Sequence, residues 1–211
     1  MTLGPTFIRK CVSCGELFSQ MTIGSGNTFG ATQWSDGKLD APMLPDQPAL
    51  VKCPTCSAVV WIEEQEVVGE ISKWGSRGEA TPAFENTRSY DTPTFDDYIE
   101  FLNLGNCNKE QQRYVRLRAW WHSNDFQRFT GTAFPPTDSK VSNMEAFALL
   151  LDEHDEIDRL MKAEVYRELG RFADAEGLLE HPFSEGIMPA VNQIRELVKQ
   201  REQKVTEIKQ D

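Results

Sequence analysis

Four of the five cysteines stand in two Cys-x-x-Cys pairs, Cys11-Val12-Ser13-Cys14 and Cys53-Pro54-Thr55-Cys56. Thiolates are soft ligands, and four of them about 2.3 Å from an ion suit tetrahedral zinc. Two intervening residues form a tight turn whose backbone N–H groups point at the sulfurs and stabilise their negative charge. Gly15 supplies the backbone freedom that such a turn requires. Pro54 pre-sets the second turn, and Ser57 stands where glycine is commoner. The pattern therefore predicts one structural metal ion held by Cys11, Cys14, Cys53 and Cys56. Zinc is the expected ion, and iron in the same four-cysteine shell is the alternative. A redox reading would need a βαβ pattern around a single pair, and neither pair has one. A catalytic zinc would need an open position, which four cysteines fill.

Other candidate chemistry is thinner. Gly24-Ser25-Gly26-Asn27-Thr28-Phe29-Gly30 lacks the Gly-Lys-Ser/Thr ending of a phosphate loop and reads as a hairpin connection. The run Asp152–Asp158 sits at a helix start, where negative charge favours the macrodipole, and its side chains point around the helix rather than converging. His122 and His181 belong to no Ser-His-Asp or His-Glu-x-x-His arrangement. Cys107 reads as a small residue packed beside a helix cap. No catalytic residues are assigned.

The elements that must position the cysteines are short and β-like through residue 64. Thr6–Arg9 leads into the first pair, Glu16–Thr22 leads out of it, and Ala58–Ile62 follows the second. Thirty-eight residues, 15–52, separate the pairs, and lengthening a loop costs only about 0.6 kcal/mol per doubling. Within that interval, Trp34-Ser35-Asp36-Gly37-Lys38 reads as a turn that packs back over the cysteine module. Residues 72–94, rich in Gly, Ser, Thr and Pro, read as a linker or strap.

Beyond it the periodicity is helical. Thr94 and Asn108 are predicted caps, the latter for a helix running to about Phe129. Ser142 or Asn143 is expected to start a short helix through Leu151. Ile157, Leu160, Met161, Ala163, Glu164 and Leu169 are spaced as the buried stripe of a helix ending at Gly170. Two further helices are expected from about Phe172 and Pro189, and the charged tail 199–211 is expected to fray. The basic stretch Lys109, Arg113, Arg116, Arg118 and Arg128 is interleaved with Tyr114, Trp120, Trp121 and Phe126. Such a patch suits single-stranded nucleic acid or a phosphorylated partner. Tyr114, Leu117 and Trp121 on one face predict instead a core-packed helix whose arginines pair with acidic helices.

The two cysteine pairs and their β-like flanks, residues 7–62, resemble a zinc ribbon. Ala163, Tyr166, Gly170, Phe172, Ala175 and Leu179 resemble a single tetratricopeptide repeat over 160–179, which departs from the repeat at Pro182. That resemblance implies a helical surface for other proteins. Residues 30–51 resemble a stretch of uncharacterised bacterial proteins, which implies a bacterial chain.

The expected architecture is α+β: a small β-rich zinc-ribbon-like domain (1–71), the strap (72–94) and an all-α tetratricopeptide-like domain (95–211). The net charge of −11, from 22 basic and 33 acidic residues, argues against broad electrostatic binding to DNA or anionic membrane. No apolar run approaches the ~20 residues of a membrane span, and no leader pattern opens the chain. A cytoplasmic setting is expected. The expected function is a non-catalytic, zinc-containing adaptor that binds another protein. The alternatives are a nucleic-acid-associated or regulatory zinc-ribbon factor, and an acidic inhibitor or immunity-type protein.

Overall fold

Among the described residues, two β-hairpins, each closed by a Cys-x-x-Cys turn, open the architecture, and six α-helices follow. The computed structural model describes residues 1–71, 84, 86–132 and 136–209. The strands are β1 (Thr2–Lys10), β2 (Leu17–Ser25), β3 (Thr32–Gln33), β4 (Leu39–Asp40), β5 (Leu50–Lys52), β6 (Val59–Trp61) and β7 (Glu66–Ile71). The helices are α1 (Phe95–Asn103), α2 (Lys109–Thr130), α3 (Asp138–Ala148), α4 (Glu156–Glu168), α5 (Phe172–Leu179) and α6 (Met188–Lys199). The fold is thus α+β, as expected. Among the described residues, no helix is long and apolar enough to cross a membrane.

The chain divides into two compact units, and neither is continuous in sequence. The first comprises Met1–Ala31 with Asp40–Asp97; the second comprises Thr32–Leu39 with Tyr98–Asp211. The turn at 34–38, expected to pack on the cysteine module, therefore groups with the helices. The reason is polar rather than apolar, and it lies in the buried contacts of Asp36 given below.

In the first unit β1 pairs antiparallel with both β2 and β7, giving the order β2-β1-β7, and β5 pairs with β6. The core is small: Cys11, Phe18, Val51, Cys53, Val60 and Ile62, with Ala58 and Tyr90 against it. Residues 87–91 run beside both hairpins. Ser19 N–H donates to Arg88 O at 2.8 Å, and Lys52 and Asp91 exchange backbone hydrogen bonds at 2.9 Å. Of the expected strap, residues 72–83 and 85 lie outside the described residues.

The second unit holds the larger core. Trp120, Met144, Phe147, Ala148, Leu151 and Val165 form one cluster, and Ala163, Ala175, Leu178, Leu179, Val191, Ile194 and Val198 form another. Helix starts follow the predicted chemistry: Thr94 and Asp97 cap reciprocally, Asn108 and Gln111 form a capping box, and the Asp155 carboxylate accepts from the N–H groups of Ile157 and Asp158. Gly170, at φ +74°, turns α4 into α5. Three expectations need correction. α3 begins at Asp138 rather than at 142 or 143, because the Thr137 side chain caps it through the Lys140 N–H. In α2 the fully buried face is Val115, Ala119 and Trp120, with Leu117 and Trp121 only partly covered. In α4, Ile157 is 47% exposed, whereas six of the eight buried residues are charged.

Candidate metal centre

The two cysteine hairpins repeat one local design at an offset of 42 residues. In the first, Cys11 N–H donates to Glu16 O at 2.9 Å and Gly15 N–H to Cys11 O at 2.8 Å. In the second, Cys53 N–H donates to Ala58 O at 2.9 Å and Ser57 N–H to Cys53 O at 3.0 Å. Strand registers match as well, with Lys10 opposite Leu17 and Lys52 opposite Val59. Gly15 and Ser57 occupy equivalent left-handed positions, at φ +78° and +61°. The serine is a non-glycine residue in a conformation that L side chains adopt at a cost of about 1–2 kcal/mol.

The four sulfurs lie within 4.8 Å of one another. Cys11 Sγ is 3.8 Å from Cys56 Sγ, and Cys14 Sγ is 3.9 Å from Cys53 Sγ. Because Cys11 corresponds to Cys53 and Cys14 to Cys56, these two separations are the same contact made twice. A tetrahedron with about 2.3 Å from centre to sulfur has an edge of about 3.8 Å. A disulfide would instead bring two sulfurs to about 2.05 Å, and all five cysteines are free thiols. The donor set and its spacing fit a tetrahedral metal ion.

Electrostatics in the cluster point the same way. Burial opposes ionisation of Cys11, but the N–H groups of Cys14 and Ser13, aided by the Cys53 and Cys14 side chains, bring its thiol down to about 7. For Cys14 the Glu16 N–H favours the thiolate. Desolvation and the thiols of Cys56, Cys11 and Cys53 outweigh it and push the group up to about 12. Burial likewise raises Cys53, against the N–H groups of Cys56 and Thr55. One thiolate is favoured by nearby N–H groups and the next is resisted by its neighbours, the balance that a bound cation would shift toward the thiolates. Cys11 and Cys53 are buried within the core and Cys14 and Cys56 are exposed. One face of the cluster is thus built into the unit and the other meets solvent.

A second layer fixes the hairpins. The buried Arg9 donates to Gln20 Oε1 at 2.6 Å, Gln65 O at 2.9 Å and Glu63 Oε1 at 3.1 Å. Gln65 Oε1 accepts the Val12 N–H inside the first turn at 2.9 Å, while its amide donates to Trp61 O at 3.0 Å. Arg88 donates to Pro54 O in the second turn at 2.9 Å. Neither Arg9 nor Gln65 is marked by any motif; only their burial identifies them.

The other candidate residues do not converge. Cys107 is half-buried next to the α2 cap, with its thiol raised by burial. Within 152–158, Asp155 is a helix cap and Asp158 pairs with Arg113. The arginines of α2 are engaged inside their own unit: Arg113 with Asp158, Arg116 with Asn143, Arg118 over the rings of Tyr114 and Trp121, and Arg128 with Asp36 and Asp125.

What sequence reasoning missed is a buried ionic network in the second unit. Asp36 accepts from Arg128, from Asn124 Nδ2 at 2.9 Å and from the Lys38 N–H at 3.2 Å, and its backbone carbonyl takes the Trp121 indole N–H at 2.9 Å. Glu168 accepts from Trp120 Nε1 and Asn124 Nδ2, both at 3.1 Å. Glu164 holds Arg167 bidentately at 2.7 and 2.5 Å, both side chains being fully buried. No protein-family model, curated protein or solved structure matches the chain.

Proposed function

We propose that the chain is a non-catalytic, zinc-stabilised protein-interaction module in which Cys11, Cys14, Cys53 and Cys56 hold one structural zinc ion. The observation that carries the reading is the duplicated 3.8–3.9 Å sulfur contact on two equivalent hairpins. A shell of four thiolates leaves no position for a substrate, which supports a structural role. Binding of a structural zinc contributes on the order of 10 kcal/mol in small modules. The interaction part of the reading draws on the α4–α5 hairpin, whose resemblance to a tetratricopeptide repeat implies a protein-binding surface. It also draws on exposed apolar side chains such as Val12, Phe29, Phe129 and Leu149. The nucleic-acid alternative draws nothing from α2, whose arginines are already paired or stacked.

Metal analysis of the purified chain tests the first part: one zinc per chain is expected, and Cys53→Ser removes both the metal and the protease resistance of the first unit. A metal-free chain that is equally resistant overturns it. Affinity capture from native lysate with and without nuclease tests the second part, with a stoichiometric protein that survives nuclease as the expected result.

A further inference from the structure

Through residue 209 the charged tail does not fray. After α6 the chain turns at Arg201, at φ +54°, and residues 202–209 return along the second unit, with one bridge at Glu207. Ser35 N–H donates to Thr206 O at 2.8 Å and Ile208 N–H to Gln33 O at 2.7 Å, with Trp34 bridging Glu207, so the tail pairs antiparallel to residues 33–35. Ser35 Oγ accepts the Thr206 N–H at 3.1 Å. The Gln193 amide brackets one residue further on, donating to Glu207 O at 2.5 Å and accepting the Lys209 N–H at 2.9 Å. Arg167, aimed by Glu164, donates to the carbonyls of Glu202 and Lys204, the latter at 2.8 Å.

Every one of these bonds goes to the tail's main chain. From 204 to 209 the buried side chains are Val205 and Ile208, at 6% and 5% exposure. Main-chain bonding to a strand edge is the physics of strand-addition peptide recognition, and side chains three apart, such as Val205 and Ile208, enter the groove from opposite faces of the segment. The fit is also incomplete. A cavity of about 430 Å³, bordered by Ile208 together with Trp34, Met161, Ile187 and Ile194, is left unfilled.

We infer that this groove is a recognition site for an extended segment of a partner protein that carries two apolar residues three apart, and that residues 202–209 are its internal stand-in. The second anchor of the partner segment is an aromatic, larger than isoleucine, because the cavity beside Ile208 accommodates one. The tail holds the site by its high local concentration, and a better-fitting segment displaces it. The inference names a partner class for the interaction reading and is independent of zinc.

The test uses a fluorescent peptide of residues 202–211 and the same peptide with Ile208→Phe, titrated by anisotropy into residues 1–201 and into the full chain. Saturable binding to 1–201 is expected, at least tenfold weaker in the full chain, tighter for the Ile208→Phe peptide, and lost when the peptide carries Val205→Ser and Ile208→Ser. Gln193→Ala in the full chain is expected to let the peptide in more readily. Equal binding of the serine peptide, or no binding to a folded 1–201, overturns the proposal. Should 1–201 fail to fold, a protease site placed after Arg201 in the full chain lets the tail be cut after folding. Exchange of the cut tail for labelled peptide supports the proposal, and unfolding on cutting overturns it. A full-length dimer that dissociates when the tail is removed assigns the groove to a second copy and also overturns it. If the peptide fails while lysate capture still yields a partner, the groove assignment falls and the interaction reading stands.

Discussion

Asp36→Ala is the sharpest probe of the second unit, because it removes a single carboxylate contributed from between the two cysteine pairs. Asp36 is 1% exposed and its partner Arg128 has a fully buried guanidinium. Without the Asp36 carboxylate, Arg128 keeps Asp125 at 2.5 Å and the Trp121 carbonyl at 2.7 Å, the Trp121 indole keeps the backbone carbonyl of residue 36, and the Asn124 amide and the Lys38 N–H each lose one acceptor. Removing one member of a buried ion pair costs about 3–5 kcal/mol, and the surviving Asp125 contact places this case near 3 kcal/mol. With a urea slope of about 1–3 kcal/mol per molar, the unfolding midpoint falls by about 1–3 M. Fluorescence of Trp120 and Trp121 reports the second unit, and metal content serves as the control for the first. The double variant Asp36→Ala, Arg128→Met recovers most of the loss, since an apolar replacement of a whole buried pair is often neutral. A single-variant loss under about 1 kcal/mol, or a double variant no better than the single, refutes the argument.

Ser57→Gly relieves the left-handed strain in the second cysteine turn. Set against the greater chain entropy of glycine, the net gain is about 0.5–1 kcal/mol, read as slower metal loss to a chelator. Gly15→Ala at the equivalent position accelerates that loss. Gln65→Ala strands the Val12 N–H and the Trp61 carbonyl while keeping the backbone carbonyl that Arg9 bonds, lowering the first unit's stability by about 1–3 kcal/mol in thermal melts without changing metal stoichiometry. Burial, with Glu164 and Asp36 adding and Lys140 and Arg167 opposing, pushes Glu168 up to about 7 from 4.5. The folded state then binds more protons than the unfolded between those values, so this group's stabilisation is full below about 4.5 and is lost as pH rises through about 7. The loss reaches up to about 3 kcal/mol, and Asp36, also raised by burial, acts in the same direction. Glu168→Gln flattens that slope in urea unfolding followed by tryptophan fluorescence, and a wild-type stability that climbs from pH 5 to 7 contradicts it.

The clustering of the four cysteines was legible because they announce themselves by type and by spacing within four residues. The caps at Thr94, Asn108 and Asp155 and the turn at Gly170 were legible for the same reason: each is a local bargain between one side chain and nearby backbone. The buried network was not. Asp36 and Arg128 are 92 residues apart, and a lone Asp in a Ser-Asp-Gly turn or an Arg near a helix end has the pattern of a solvated surface. On α4 the expected stripe held at Ala163 and Glu164 and failed at Ile157, and the same bias passed over Arg159, Lys162 and Arg167, which are buried. The tail misled for the opposite reason. Its charged residues dominate the composition, while its attachment depends on main-chain groups that any sequence possesses. β7 escaped notice because Val67 and Val68, flanked by glutamates, resemble a loop until β1 is there to pair with them.

The interleaving of the two units has a consequence in time. Ser35 leaves the ribosome early, yet the Thr206 N–H that its hydroxyl receives lies 171 residues later. At about 5–20 residues per second, that partner arrives some 10–30 s afterwards. Through that interval Cys11, Cys14, Cys53 and Cys56 are all synthesised before the first helix of the second unit is complete. A metal ion captured then would tie off residues 15–52 as a closed loop, presenting the Trp34–Lys38 turn on a tethered bight. The thiolate cluster would thus set the order of assembly, delivering one element of the helical unit before the helices exist to receive it.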